Sequence, residues 1–159
     1  MAIRRISAGD RAAIRAIVAA TGVFTDEEVR VADELVADAI ARPDESGYHA
    51  LVLAEDDIVR GYACFGPTPL TEGTFDLYWI AVDPRAQSRG YGRTLLRAVE
   101  DTLRAQNARL LLVEAAGRPD NAKTLAFYAR CGYAELARIR DFYRPGDDKV
   151  VFGKYLAGS

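Results

Sequence analysis

The sequence predicts an α/β fold: a mixed sheet with a mostly antiparallel front half and one βαβ crossover. Three observations predict it. Strand-like and helix-periodic runs follow one another in the order β-α-α-β-β-β-α-β-α-β-β. Two apolar runs, Tyr48–Glu55 and Ile58–Phe65, meet at Asp56–Asp57, the short polar joint of a hairpin. Two later strand runs, Thr74–Val82 and Arg109–Glu114, are separated by an amphipathic stretch of helix length, which a parallel pair requires.

In chain order, Ala2–Ile6 is short and alternates, as an edge strand does. Ser7 to Asp10 offers caps for a helix over Ala12–Thr21, with Ile14, Ile17 and Val18 on its apolar face and Gly22 as its stop. Thr25 stands three residues before Glu28, the spacing of a capping box, and opens a helix to Arg42. Its inner face is Val29, Ala32, Leu35, Val36, Ala39 and Ile40. After the hairpin, Thr74–Val82 is rich in aromatic and β-branched residues, which favour strands. Leu95, Leu96, Val99 and Leu103 then recur at helical spacing, and Arg109–Glu114 is a short apolar strand. Asn121–Cys131 reads as a helix stopped by Gly132, and Tyr133–Arg140 with Lys149–Leu156 as a closing antiparallel pair.

Composition narrows the function classes. The chain has 159 residues, half of them apolar, which suits a single domain over 1–159 with a core that needs no disulfide or metal staple. Its two cysteines, Cys64 and Cys131, and its single His49 have no ligand-like spacing, so no metal is expected and a reducing cytoplasm is the natural compartment. With 21 basic and 23 acidic residues and no basic block, no nucleic-acid partner is expected. No apolar run reaches the roughly 20 residues that span a bilayer, and MAIRRISAGD lacks a signal peptide's apolar stretch.

The chemistry concentrates where the strand ending Ile80-Ala81-Val82-Asp83-Pro84 runs through a loop into a helix. Gln87-Ser88-Arg89-Gly90-Tyr91-Gly92 carries two glycines, with Arg85, Arg89 and Arg93 around them. The first N–H groups of a helix lack internal acceptors, and its dipole places positive charge there. Such a site suits a phosphate or pyrophosphate. The glycines alone fit a tight strand-to-helix turn equally well. There is no GxxxxGK[ST] and no third glycine in GxGxxG register, which excludes a Walker loop and a Rossmann fingerprint.

Gln87-x-x-Gly90-x-Gly92 after that strand closely resembles the acetyl-CoA-binding motif of the GNAT N-acetyltransferase superfamily. The segment Asn121…Phe127-Tyr128…Cys131-Gly132-Tyr133 resembles the family's next motif, and the element order matches across essentially the whole chain. The resemblance implies a GNAT-like sheet of seven strands, splayed between the fourth and fifth. It implies an acetyl-CoA-dependent N-acetyltransferase in which an amine attacks the thioester directly in a ternary complex. The pyrophosphate would lie on the amides of Gln87, Ser88, Arg89, Gly90, Tyr91 and Gly92, with Arg93 and Thr94 at the helix start. Pantetheine would pair with the backbone of Ile80, Ala81 and Val82, as an added strand does. Asn121 would contact pantetheine; as an isolated residue it also fits a helix N-cap. Tyr128 would protonate the departing thiolate, a role open to a phenol with a pKa of about 10. Asp76 and Glu72 are the carboxylates in place to take the amine's proton, and both also fit solvated or substrate-binding roles.

The acceptor, a small-molecule or peptide amine, would meet Phe24, Glu27, Glu28, Tyr78, Trp79, Asp141, Phe142, Tyr143, Asp147 and Asp148. Aromatic and acidic side chains together suit a cation. Taken singly, Trp79 also fits the core, Glu27-Glu28 a helix first turn, and Asp147-Asp148 a turn. A non-catalytic acyl-CoA sensor or a transferase using another acyl-CoA would keep the same loop, and many members of the family form homodimers.

Overall fold

The computed structural model describes residues 1–156. Its elements are β1 (Ala2–Arg5), α1 (Arg11–Ala20), α2 (Asp26–Ala41), β2 (His49–Glu55), β3 (Ile58–Pro67), β4 (Thr74–Val82), α3 (Tyr91–Ala105), β5 (Leu110–Ala116), α4 (Ala122–Arg130), β6 (Ala134–Arg144) and β7 (Asp147–Tyr155). One seven-stranded sheet runs β1-β2-β3-β4-β5-β7-β6. Every neighbouring pair is antiparallel except β4 and β5, which are parallel and joined through α3.

Strand alternation divides the core between the two faces of the sheet. On β3, Tyr62 and Cys64 face α1 and α2, where they meet Ile14, Val18, Ala32 and Val36. Ala63 and Phe65 face the other way, toward Leu96, Val99 and Leu103 of α3 and Tyr128 of α4. Each fully buried leucine or valine contributes about 1.5–3 kcal/mol relative to exposure. The periodicity of α3 is thus the seam that fixes this helix beneath β4.

Local chemistry sets the element ends. Thr25 Oγ1 accepts from Glu28 N at 3.1 Å, and Glu28 accepts from Thr25 N at 3.0 Å, which completes the capping box of α2. Asp56 and Asp57 both adopt positive φ, as a two-residue hairpin turn demands. Inside the α3–α4 layer, Glu100 is buried but satisfied by Tyr133 Oη at 2.7 Å and Lys154 Nζ at 3.0 Å, so α3 is tied to β7.

The closing pair differs from its sequence-based bounds. β6 continues to Arg144 and β7 starts at Asp147. Polar contacts rather than apolar alternation extend the hairpin. Asp148 Oδ1 accepts from Asp141 N at 2.9 Å, Asp141 Oδ1 accepts from Gly146 N at 2.9 Å, and Arg144 reaches Asp147 at 2.7 Å.

Gly66 of β3 lies against the Gly47 carbonyl oxygen, well inside van der Waals distance of any added Cβ. That oxygen is backbone and cannot swing aside. In urea unfolding, Gly66→Ala is expected to cost about 1–3 kcal/mol. Gly9→Ala, whose Cβ meets nothing, should stay within about 0.5 kcal/mol of the parent.

Candidate functional site

The site begins where two parallel strands part. β4 and β5 pair only over Thr74–Leu77 and Leu110–Val113. Beyond them β5 still pairs with β7, from Glu114 to Ala116, and β4 still pairs with β3, up to Val82. The register of β3 and β4 slips at the same place. Cys64 faces Trp79 and Phe65 faces Leu77, so Tyr78 is the extra residue of a bulge. A bulge raises local twist and bends its strand, and here it turns β4 away from β5. A cleft of about 1300 Å³ opens between them.

At one end of the cleft lies the glycine loop. Asp83 is buried and accepts from Arg85 N at 3.0 Å, which winds Pro84–Ala86 into a single 3-10 turn. Ser88 and Gly90 both have left-handed φ, +70° and +76°. Alternating backbone of this kind turns successive N–H groups toward one point, an anion-binding concavity. Within α3 the first N–H consumed is that of Thr94, on Gly90 O at 3.0 Å. The N–H groups of Tyr91, Gly92 and Arg93 therefore precede the helix's own hydrogen bonding. Gly92 serves packing as well, because a Cβ there would meet the Phe127 ring at 3.3 Å.

The loop is held from behind. Arg89 pairs with Glu55 at 3.1 Å, and Tyr91 Oη donates to the other oxygen of the same carboxylate. The Tyr91 hydroxyl, with Arg89 and Arg60, holds Glu55 below the usual carboxylate range. The Arg85 guanidinium does the same for Asp83.

Along the α4 wall, Asn121 is buried at the N-cap position of α4, yet its side chain makes no capping bond. Nδ2 instead donates to Ala116 O at 2.6 Å, which ties the start of α4 to the end of β5. Tyr128 lies in the last turn of α4, packed on Phe127, Tyr133 and Phe152 at centroid distances of 5.4, 6.0 and 5.9 Å. Burial raises its phenol well above the ordinary value, so it stays protonated across the neutral range.

At the opposite end, Asp76 accepts from Thr68 Oγ1 at 2.8 Å. Burial raises its carboxyl, nearby Glu114 adds to the rise, and the Thr68 bond and Lys149 oppose it. Tyr78 stacks edge-on against Tyr48, and burial pushes its phenol up to about 12. Phe24 tilts against Trp79 at 6.4 Å. Arg118 spans the entrance: its guanidinium donates to Val23 O at 3.0 Å and lies 3.6 Å from Asp147.

The cleft thus brings together Phe24, Glu27, Glu28, Asp76, Tyr78, Trp79, Ile80, Ala81, Val82, Gln87, Ser88, Gly90, Tyr91, Gly92, Arg93, Asn121, Tyr128, Tyr143 and Asp147. Other expected residues lie outside it. Glu72 precedes β4, and its carbonyl accepts from Arg109. Arg89 points back to Glu55, and the Thr94 hydroxyl bonds Gly90 O. Phe142 is half exposed beneath Lys149, while Asp141 and Asp148 bond within the hairpin. Glu28 lines the cleft with its carboxylate already engaged in capping. Glu114 and Arg118 line the cleft and were missed by sequence reasoning. Glu114 had a signal, as a lone charge inside the apolar run Leu110–Ala116. Among the described residues no group of side chains forms a metal site, and no helix is long and apolar enough to cross a membrane.

The model of the acetyltransferase (GNAT) family matches residues 13–133. A solved GNAT-family chain from Desulfovibrio desulfuricans is 45% identical with a TM-score of 0.95, covering 98% of this chain and 99% of that one. The [ribosomal protein bS18]-alanine N-acetyltransferase of Salmonella typhimurium is 36% identical over 96 residues, 60% of this chain and 62% of that protein. N-alpha-acetyltransferase RimI of Mycobacterium tuberculosis is 36% identical over 84 residues, 53% and 49% of the two chains. The matches thus span about half to three fifths of these curated relatives' length.

Gly90→Val places a β-branched residue at φ +76°, a conformation such residues strongly resist. Calorimetry with coenzyme A is expected to show at least about tenfold weaker binding, the loss of roughly one charge-assisted hydrogen bond. Undiminished affinity in a folded Gly90→Val protein would mean that the loop is not the anion site.

Proposed function

The chain belongs to the acetyltransferase (GNAT) family, and on that premise we propose that it transfers the acetyl group of acetyl-CoA to the α-amine of a peptide or protein. The observation that carries the reading is the placement of Ser88, Gly90, Tyr91, Gly92, Arg93 and Tyr128 on one cleft, opened by the parting of β4 from β5. The loop amides take the pyrophosphate. The freed edge of β4 at Ile80–Val82 pairs with the amide-bearing pantetheine arm, and Asn121, its Nδ2 spent on Ala116, offers its side-chain oxygen to the same arm.

The acceptor nitrogen attacks the thioester carbon, and a β4 backbone N–H near Ile80–Ala81 steadies the oxyanion. As the C–S bond breaks, the Tyr128 hydroxyl protonates the sulfur. The proton lost by the amine passes to a carboxylate and then restores the phenol through solvent. Of the carboxylates on the cleft, Glu28 is engaged in capping, Glu27 pairs with Arg30 and Asp147 with Arg144, so the base falls to Asp76 and Glu114, on the two strands that part; Glu72 lies away from the cleft. Burial makes Tyr128 a weak acid. It transfers its proton because the thiolate beside it is equally removed from water, which raises the basicity of sulfur. The acceptor class is supported by the relatives named for a protein's alanine and for α-amines. Free Cys64 and Cys131 suit a reducing cytoplasm.

Tyr128→Phe should lower kcat about 100-fold or more with the coenzyme A Kd within about twofold. Unchanged turnover would remove the acid role. With an alanyl peptide, kcat/KM should climb with pH and level near about 8, where an α-amine loses its proton. With a lysine side-chain amine it should keep climbing toward about 10.4. Burial raises the Asp76 carboxyl, so its protonation should add a second fall in kcat/KM on the acid side of the amine's own; Asp76→Asn should lower kcat and remove that second fall while the amine limb persists. Identical profiles for the two amines would contradict attack by the free amine.

A further inference from the structure

The short link between α1 and α2, residues 21–25, lines the acceptor end of the cleft through Thr21, Val23, Phe24 and Thr25. Its two ends are settled locally: Thr21 bonds back to Ile17 and Val18 of α1, and Thr25 caps α2. Among the described residues, a single hydrogen bond ties this link to a distant part of the chain. It runs from Arg118 Nη2 to the Val23 carbonyl at 3.0 Å. Val23 is 42% exposed, so burial of its own side chain does not hold it there. The other hold is the tilted contact of Phe24 on Trp79.

Arg118 is set for this bond by its surroundings. It lies in the turn from β5 to α4, and that turn is fastened to β7 by Gly117 N on Asp148 O at 2.8 Å. Arg118 Nε pairs with Asp120 at 2.9 Å, and Nη1 lies 3.6 Å from Asp147 at the start of β7. Two sides of the planar fork thus face carboxylates, and Nη2 is left for a neutral carbonyl. A guanidinium holds several partners in fixed directions, as an ammonium on a flexible stem does not. Arg118 therefore joins the α1–α2 link, the β5–α4 turn and the start of β7 at one point, and Val23, Arg118 and Asp147 all line the cleft.

We propose that Arg118 is a positioning residue for the acceptor: by holding the Val23 carbonyl it keeps the α1–α2 link, with Phe24 on Trp79, in the arrangement that receives the amine substrate. The inference rests on the amine-transfer reading and deepens it. A ligand that binds one arrangement of a segment loses apparent affinity in proportion to the fraction of protein in that arrangement. Freeing the link therefore raises the acceptor's KM, while saturating acceptor draws the link back and leaves kcat unchanged. The glycine loop has its own anchors on Glu55 and Asp83, so coenzyme A binding does not depend on Arg118.

The test follows coenzyme A release from saturating acetyl-CoA with an alanyl peptide, coenzyme A binding by calorimetry, and acrylamide quenching of Trp79. Trp79 is the chain's single tryptophan, and through Phe24 it reports the link. Arg118→Met keeps the apolar stem and removes the donors, and Asp147 retains Arg144 at 2.7 Å. It should raise the peptide's KM about tenfold, with kcat and the coenzyme A Kd within about twofold of the parent. Its Trp79 should be quenched more steeply, a difference that saturating peptide with coenzyme A removes. Asp120→Asn loosens an exposed ion pair of the same guanidinium but spares the Val23 bond, so it should behave as the parent. If Arg118→Met does not fold, Arg118→Lys keeps the charge without the fork and should raise KM about threefold or more. An unaltered KM or unaltered quenching in a folded Arg118 variant would overturn the proposal. So would an equal loss of coenzyme A affinity, or a rise in Asp120→Asn as large as in Arg118→Met. Absence of coenzyme A release by the parent would instead overturn the transferase reading, while the quenching still judges whether Arg118 holds the link.

Discussion

Beyond Leu77 and Val113 the parallel strands β4 and β5 share no hydrogen bonds, and the site is built in the gap. The backbone edge of β4 past Tyr78 has no strand partner on that side, which in a closed sheet would be a fault. Here the fault is local and supported. The Tyr78 bulge turns β4 outward, while the intact pairings of β4 with β3 and of β5 with β7 hold each strand from its far side. Two core clusters, one on each face, pack the sheet against its helices.

The loop at the mouth of the gap depends on charge held at its rear. Glu55, from the β2–β3 hairpin, takes Arg89 and Tyr91 together, and Asp83 takes Arg85 and Arg60. Two of the three arginines that look like phosphate ligands in the sequence, Arg85 and Arg89, are thus spent on carboxylates. What faces the cleft is backbone N–H, with Arg93 alongside. Surface ion pairs contribute little singly, but these converge on one short turn and fix its direction. Preorganised amides need no rearrangement when an anion arrives.

Much of this was legible because it is local. Leu95, Leu96, Val99 and Leu103 declare a helix by spacing, Thr25 and Glu28 declare its neighbour's start, and Gly90 with Gly92 mark the loop. What was not legible depends on distant pairing. Nothing near Glu114 in the chain says that β4 departs one residue earlier. Arg118 reaches Val23 across 95 residues, and no pattern foretells that span. Asn121 stands at a cap position, yet its amide goes to Ala116, a choice made by the end of β5. β6 and β7 ran past their apolar alternation because aspartates, not hydrophobic residues, close that hairpin. Glu72 and Phe142 carry suitable chemistry, but neither lines the cleft: Glu72 precedes β4 and Phe142 is half exposed beneath Lys149.

The central claim is that one ligand lies along the parted strand with its anionic end on the loop. Residue-resolved amide hydrogen exchange, with and without coenzyme A, tests it most directly. The account predicts slowed exchange at Ser88–Arg93 and along Ile80–Val82, with little change at β1 and β2. Protection confined to other elements, or to the loop without the strand, would contradict it.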